Sequence, residues 1–183
     1  MEDASRGHAE SDSEVLLYVY DLSNGLAKTL SPALLGKELP GMWHTSIVLR
    51  GTEYFFGSAG VDSCPAGRTD LGKPDRVVSL GRTELPNDVC VEYIRDLGRY
   101  NYKSSSYHLF RRNCNNFSQD LSLFLTGNSI PREIRELPDD FLSTPMGSMM
   151  VHSFEHLSIA VRKALEQHST HEPRRSPKSP RPP

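Results

Sequence analysis

Cysteine is scarce in this chain. Three occur among 183 residues, Cys64, Cys90 and Cys114. So odd and sparse a set does not make a disulfide framework, and it fits a reducing compartment. Charge of one sign is equally short. The formal net charge is -2, far from the basic surplus of a general nucleic-acid binder. Long apolar runs are missing too: none reaches the roughly 18 residues of a spanning helix. The opening MEDASRGHAESDSE is acidic and carries no apolar stretch, so it does not read as a signal peptide. Glu2 and the final Arg-Pro-Pro give no myristoylation or prenylation signal. The expectation is a protein of the cytoplasm and nucleus, with no membrane span, no nucleic-acid partner and no resident metal or other cofactor.

What is present suits one folded domain between polar ends. Residues 1–13 read as a disordered acidic tail, 14–150 as the folded domain, 151–168 as a C-terminal amphipathic helix, and 169–183 as a basic proline-rich tail. Residues 15–21, VLLYVYD, are aliphatic and aromatic and predict a buried strand. A short helix is predicted over Leu26–Leu35, stopped by Gly36. Residues 45–49 and 54–56 predict a hairpin turning at Gly51-Thr52. Residues 57–75 hold four glycines and two prolines and predict a long surface loop. Another strand follows over 76–80. Pro86 opens a helix whose buried face is Val89, Cys90, Tyr93, Ile94 and Leu97, with Gly98 as its stop. Residues 107–110 are open between strand and loop. Asn113 is a suitable N-cap for a helix over Cys114–Thr126, ended by Gly127. Pro131 begins another short helix, and residues 154–165 form a last amphipathic one. The mixture is α+β with mostly antiparallel strands.

Cys114 stands out chemically. It falls in the first turn of its helix, where unpaired N–H groups and the macrodipole favour a thiolate. Arg111 and Arg112 precede it, and its polar neighbours predict a sulfur that is not sealed in a core. Cys90 lies on an apolar helix face and reads as core; Cys64 has neither a helix end nor an adjacent cation. A thiol nucleophile needs a base. His44, ahead of a strand, and His108, six residues before the cysteine, are both candidates, and spacing alone leaves them open.

Several segments together resemble the PPPDE peptidase family, the desumoylating isopeptidases. They include Leu17-Tyr18-Val19-Tyr20-Asp21-Leu22-Ser23, Trp43-His44-Thr45-Ser46-Ile47-Val48, Phe55-Phe56-Gly57-Ser58, Asn113-Cys114-Asn115 and Phe124-Leu125-Thr126-Gly127. The resemblance runs in order over nearly the whole folded part and leaves out both tails. It implies a circularly permuted papain-like cysteine protease fold, a small antiparallel sheet or barrel packed against helices. It implies a catalytic pair of Cys114 and His44, which decides against His108. It implies hydrolysis after the Gly-Gly tail of SUMO-type modifiers on lysine, and a homodimer. The family's link to palmitoyl groups makes S-depalmitoylation by the same pair an alternative.

For such a reaction the Cys114 N–H is the natural first oxyanion donor. Asn113, Asn115 and Tyr20 are open as the second. Trp43, Gly57, Ser58 and Gly60 are candidates for walls of a channel that passes only a side-chain-free tail, with Ser58 near His44 across the hairpin. Two rivals remain outside the pair. His152-Ser153-Phe154-Glu155-His156 matches a zinc signature but lacks room for a downstream ligand. The tail around Arg175-Ser176-Pro177-Lys178-Ser179-Pro180 fits an adaptor that binds SH3-type partners.

Overall fold

The computed structural model describes residues 13–149. Strand β1 (Glu14–Asp21) buries every second residue, Val15, Leu17 and Val19, as a sheet with one face on the core requires. It is followed by helix α1 (Leu26–Leu35), which Gly36 ends in the left-handed conformation. Strands β2 (Trp43–Leu49), β3 (Thr52–Gly57), β4 (Gly60–Pro65) and β5 (Arg76–Arg82) complete an antiparallel sheet in the order β4-β3-β2-β1-β5. Helix α2 (Asn87–Asp96) runs on as a π turn over Leu97–Asn101. Helix α3 (Cys114–Thr126) then packs chiefly against β2, and the short α4 (Arg132–Arg135) and α5 (Leu137–Leu142) follow it.

The core lies between one face of the sheet and α3. Val15, Leu17, Val19, Ile47, Leu49 and Phe56 from the strands meet Phe117, Leu121 and Leu125 from the helix. Phe56 is the hub, with the rings of Tyr102, Tyr107 and Phe117 around it at 5.0, 5.3 and 6.4 Å between centroids. The architecture is therefore α+β, an open five-stranded sheet rather than a barrel among the described residues. The strand bearing His44 precedes the helix bearing Cys114.

Three expectations need correction, and one open stretch is settled. The β2–β3 turn is Arg50-Gly51, closed by the pair Leu49–Thr52, not Gly51-Thr52. Both turn residues have positive φ, 48° and 74°, the geometry that matches strand twist in a two-residue hairpin. The predicted loop over 57–75 contains β4, which pairs with β3 from Gly57–Gly60 to Thr52–Pro65. Gly98 does not stop its helix. It lets the chain pass against Val61, whose Cβ would stand 3.3 Å from a Cβ added there. The open stretch 107–110 leads into a tight turn over 108–112, closed by a bridge between His108 and Arg112. The predicted tails, the helix over 154–165, the histidine pair at 152 and 156 and the proline-rich segment all lie outside the described residues.

Candidate active site

The sheet splits where β3 leaves β2. Their pairing ends at Ile47–Tyr54, although β2 extends back to Trp43 and β3 forward to Gly57. Residues 43–46 are therefore paired by β1 on one side only. On the other side the strand presents backbone groups to which β3 no longer pairs, and buried groups of this kind need partners. The first turn of α3 supplies them. Asn115 Nδ2 donates to Trp43 O at 3.3 Å, and the Thr45 N–H is directed at the Cys114 sulfur. Residues two apart point to the same strand edge, so both contacts lie in the one gap.

Side chains lock this junction. The Thr45 hydroxyl donates to Asn115 Oδ1 at 2.9 Å and shares a hydroxyl–hydroxyl bond of 2.9 Å with Ser118. All three residues are buried. Helix α3 is set in place by Asn113, whose Oδ1 accepts from the N–H groups of Asn115 and Asn116, while the Asn116 side chain accepts from Asn113 N–H. This reciprocal cap fixes Cys114 as the first helical residue. The Thr45 N–H belongs to the peptide that joins His44 to Thr45. The sulfur thus rests against the peptide group that carries the imidazole-bearing residue.

Cys114 is 5 % exposed, so the expectation of an unsealed, acidified thiol is corrected. Burial pushes the thiol up to about 11, and the N–H groups of Thr45, Asn115 and Cys114 itself pull only partly the other way. Desolvation outweighs the helix end because the charged form loses its water. The surroundings are nonetheless polar: the thiol donates to Asn115 Oδ1 at 3.6 Å, and its charge would also bear on Tyr107. Burial pushes His44 down to about 4, opposed by the Glu53 carboxylate. At neutral pH the resting pair is thiol and neutral imidazole.

The other sequence candidates take distinct places. Asn113 Nδ2 donates to Leu109 O at 2.7 Å, Asn115 Nδ2 to Trp43 O, and Tyr20 Oη to Glu53 Oε1 at 2.7 Å, so each of these side-chain donors already has an acceptor. Trp43 begins β2 with its six-membered ring over Gly41, and its buried Nε1 has no acceptor among the described residues. Gly57, Ser58 and Gly60 form the β3–β4 turn, away from the β2 register that would have set Ser58 beside His44. Gly60 lines a cavity of about 610 Å³ with Val61, Gly98 and Tyr102, and neither Cys114 nor His44 borders it. His108 Nδ1 accepts from Phe110 N–H at 3.2 Å inside its own turn. Thr45, Glu53 and Tyr107 are additions that the sequence reading did not single out. Among the described residues no group of three His, Cys, Asp or Glu side chains could hold a metal, and no helix is long and apolar enough to cross a membrane.

A cysteine heading a buried helix, set against a histidine-bearing strand of an antiparallel sheet, is the arrangement of a thiol hydrolase. Residues 13–155 match the PPPDE peptidase domain. The chain is 52 % identical over 145 residues to desumoylating isopeptidase 1 of Homo sapiens, covering 79 % of this chain and 86 % of the relative. It is 51 % identical over 142 residues to desumoylating isopeptidase 1 of Xenopus laevis, covering 78 % and 84 %. It is 29 % identical over 143 residues to the DeSI-like protein sdu1 of Schizosaccharomyces pombe, covering 72 % and 67 %. The chain belongs to the PPPDE peptidase family and is a hydrolase of the peptidase class.

Proposed function

We propose that this protein is a cysteine isopeptidase that releases SUMO-type modifiers from lysine, with Cys114 as nucleophile and His44 as base. Two things support the reading: the relatives named for desumoylation, and above all the docking of the Cys114 sulfur on the His44–Thr45 peptide. As the tail enters, His44 takes the thiol proton and the sulfur bonds to the carbonyl carbon of the modifier's last glycine. The oxyanion is met by the Cys114 N–H, and the Thr45 N–H in the same gap is suited to be the second donor. Collapse breaks the C–N bond while imidazolium protonates the departing lysine amine. Water, deprotonated by His44, then attacks the thioester, and the released thiol recovers its proton.

In the permuted papain-like order that this reading adopts, the base precedes the nucleophile. The test is a modifier with an electrophilic C-terminus. It should label the wild-type protein at Cys114 and leave Cys114→Ala unlabelled, and that variant should keep its circular dichroism and lose all turnover. Turnover by folded Cys114→Ala would sink the assignment. SUMO–lysine and palmitoyl–cysteine substrates run side by side decide between isopeptidase and thioesterase.

We read the protein as a homodimer of cytoplasm and nucleus. Helix α1 shows Leu26, Leu30 and Leu34 on one face, from 47 to 61 % exposed. The exposed Leu22 and Met42 stand next to one another, the Leu22 N–H donating to Met42 O at 2.8 Å, two residues from His44. A second copy on this face would sit beside the active-site mouth. Leu30→Asp should then shift the sedimenting species to monomer.

A further inference from the structure

Glu53 is a charged side chain in a place that a plain sheet would give to an apolar one. It is 0 % exposed, opposite Val48 in the β2–β3 pairing. Three donors from three segments converge on it. Tyr20 Oη from β1 and Ser46 Oγ from β2 donate to Oε1 at 2.7 and 2.6 Å, and the Gly67 N–H beyond β4 donates to Oε2 at 2.8 Å. Burying a carboxylate is costly before its partners compensate, so joining segments is a poor reason by itself to have one here.

Its position relative to His44 supplies a better reason. Tyr20 and His44 are register partners across β1 and β2, with ring centroids 6.1 Å apart at a 50° tilt. Ser46, two residues on from His44, projects to the same side of β2. Both residues that flank His44 on this face are therefore bound to the one carboxylate. Among the described residues, the titratable groups set against the imidazole are Tyr20 from β1 and Glu53 from β3, and of these only Glu53 brings a negative charge.

We propose that Glu53 is a positioning residue: it tethers Tyr20 against the His44 ring and supplies the buried counter-charge to the imidazolium formed when His44 takes the Cys114 proton. This rests on the Cys114–His44 reading. The proton moves from sulfur to imidazole, and Glu53 neither gains nor loses one. Its field opposes the desolvation that otherwise disfavours the charged ring.

The test is Glu53→Gln in the full chain, assayed for SUMO–lysine cleavage across pH, with folding followed by circular dichroism. The variant keeps shape and most hydrogen bonding and loses the charge. We expect kcat to fall about tenfold, corresponding to about one pH unit in the ring's proton affinity, with KM unchanged. The acid limb should move to lower pH, because the group that favoured the protonated ring is gone. A folded Glu53→Gln protein with wild-type kcat and an unmoved limb overturns the proposal. Should the variant not fold, Tyr20→Phe takes its place: it frees the ring from the tether and leaves the charge. Its kcat should fall severalfold with no downward move of the limb, and wild-type kcat there also overturns the proposal. Cys114→Ala and His44→Ala in the same assay separate the two levels. Activity in either refutes the catalytic pair itself, whereas inactivity in both beside an unaffected Glu53→Gln refutes Glu53 alone.

Discussion

Acidification should cost this fold more than an ordinary surface histidine would, and His44 supplies the reason. Burial holds the imidazole down to about 4 in the folded chain, while an unfolded histidine titrates near about 6.5. Between those values the unfolded chain binds a proton that the folded chain refuses. Stability therefore falls as pH drops through this window, and the contribution is whole only above about 6.5. A separation of about 2.5 pH units at about 1.4 kcal/mol each gives about 3.5 kcal/mol, trimmed to about 2–3 because the ring is only partly buried. A carboxylate held low by hydrogen bonds adds its own loss at more acid pH. Asp21 is held below its usual value despite burial by bonds from Ser23, Met42 and Gly25, and it adds a loss of the same sign. The measurement is therefore a difference. Urea unfolding of wild type and His44→Gln near about pH 7 and about pH 4 should show wild type losing about 2–3 kcal/mol more than the variant. Parallel losses would refute the buried, neutral imidazole and with it the resting thiol–imidazole pair.

Thr45→Val keeps the shape of a fully buried side chain and removes the hydroxyl held by Asn115 and Ser118. We expect a loss of about 2 kcal/mol in chemical denaturation, chiefly from leaving those partners unsatisfied, and a drop in kcat as α3 loosens from β2. Gly41→Ala places a methyl 2.6–2.8 Å from three atoms of the Trp43 ring. The ring must move, at about 1–3 kcal/mol, and because Trp43 is the single tryptophan its fluorescence should report the move directly. Phe117→Ala empties a fully buried position against Phe56 and Tyr102 and should cost about 3–5 kcal/mol by thermal or urea unfolding, the range for such truncations.

Legibility in the sequence followed how local each signal was. The bounds of α1 and α3 were readable because Gly36, Asn113 and Gly127 each act on their own turn of helix. Strand β4 was hidden. It is an edge strand with exposed Asp62, Ser63 and Pro65, it pairs on one side only, and it sits among glycines that usually mean loop. The hairpin turn was displaced by one residue because Arg50 occupies a left-handed position that its side chain does not advertise. Gly98 looked like a stop because a missing Cβ is equally useful for ending a helix and for letting Val61 approach. At the site, the residues alone single out Cys114 but leave His44 and His108 open, and they do not disclose protonation. Asn115 and Asn116 suggest a wet helix end, yet Asn115 is buried by bonds to Thr45 and Trp43, residues some seventy positions away. Glu53 falls outside the strand predicted over 54–56, and only the long-range convergence of Tyr20, Ser46 and Gly67 reveals it as buried.

The split in the sheet ties the chemistry to the fold. Where β3 departs, β2 needs other partners for a carbonyl and an N–H, and α3 meets both with the turn that carries Cys114. Loosening the helix end would strand buried backbone groups as well as move the sulfur, so the site is held by forces the protein needs merely to stay folded. The same enclosure sets the protonation states. A desolvated ring is a reluctant base but, once protonated, a strong acid, and a lysine amine must be protonated as it leaves. A thiolate leaving group makes no such demand. The neutral resting pair thus suits amide cleavage by the proposed route, in which His44 receives the thiol proton only as the sulfur attacks and passes it on at once to nitrogen.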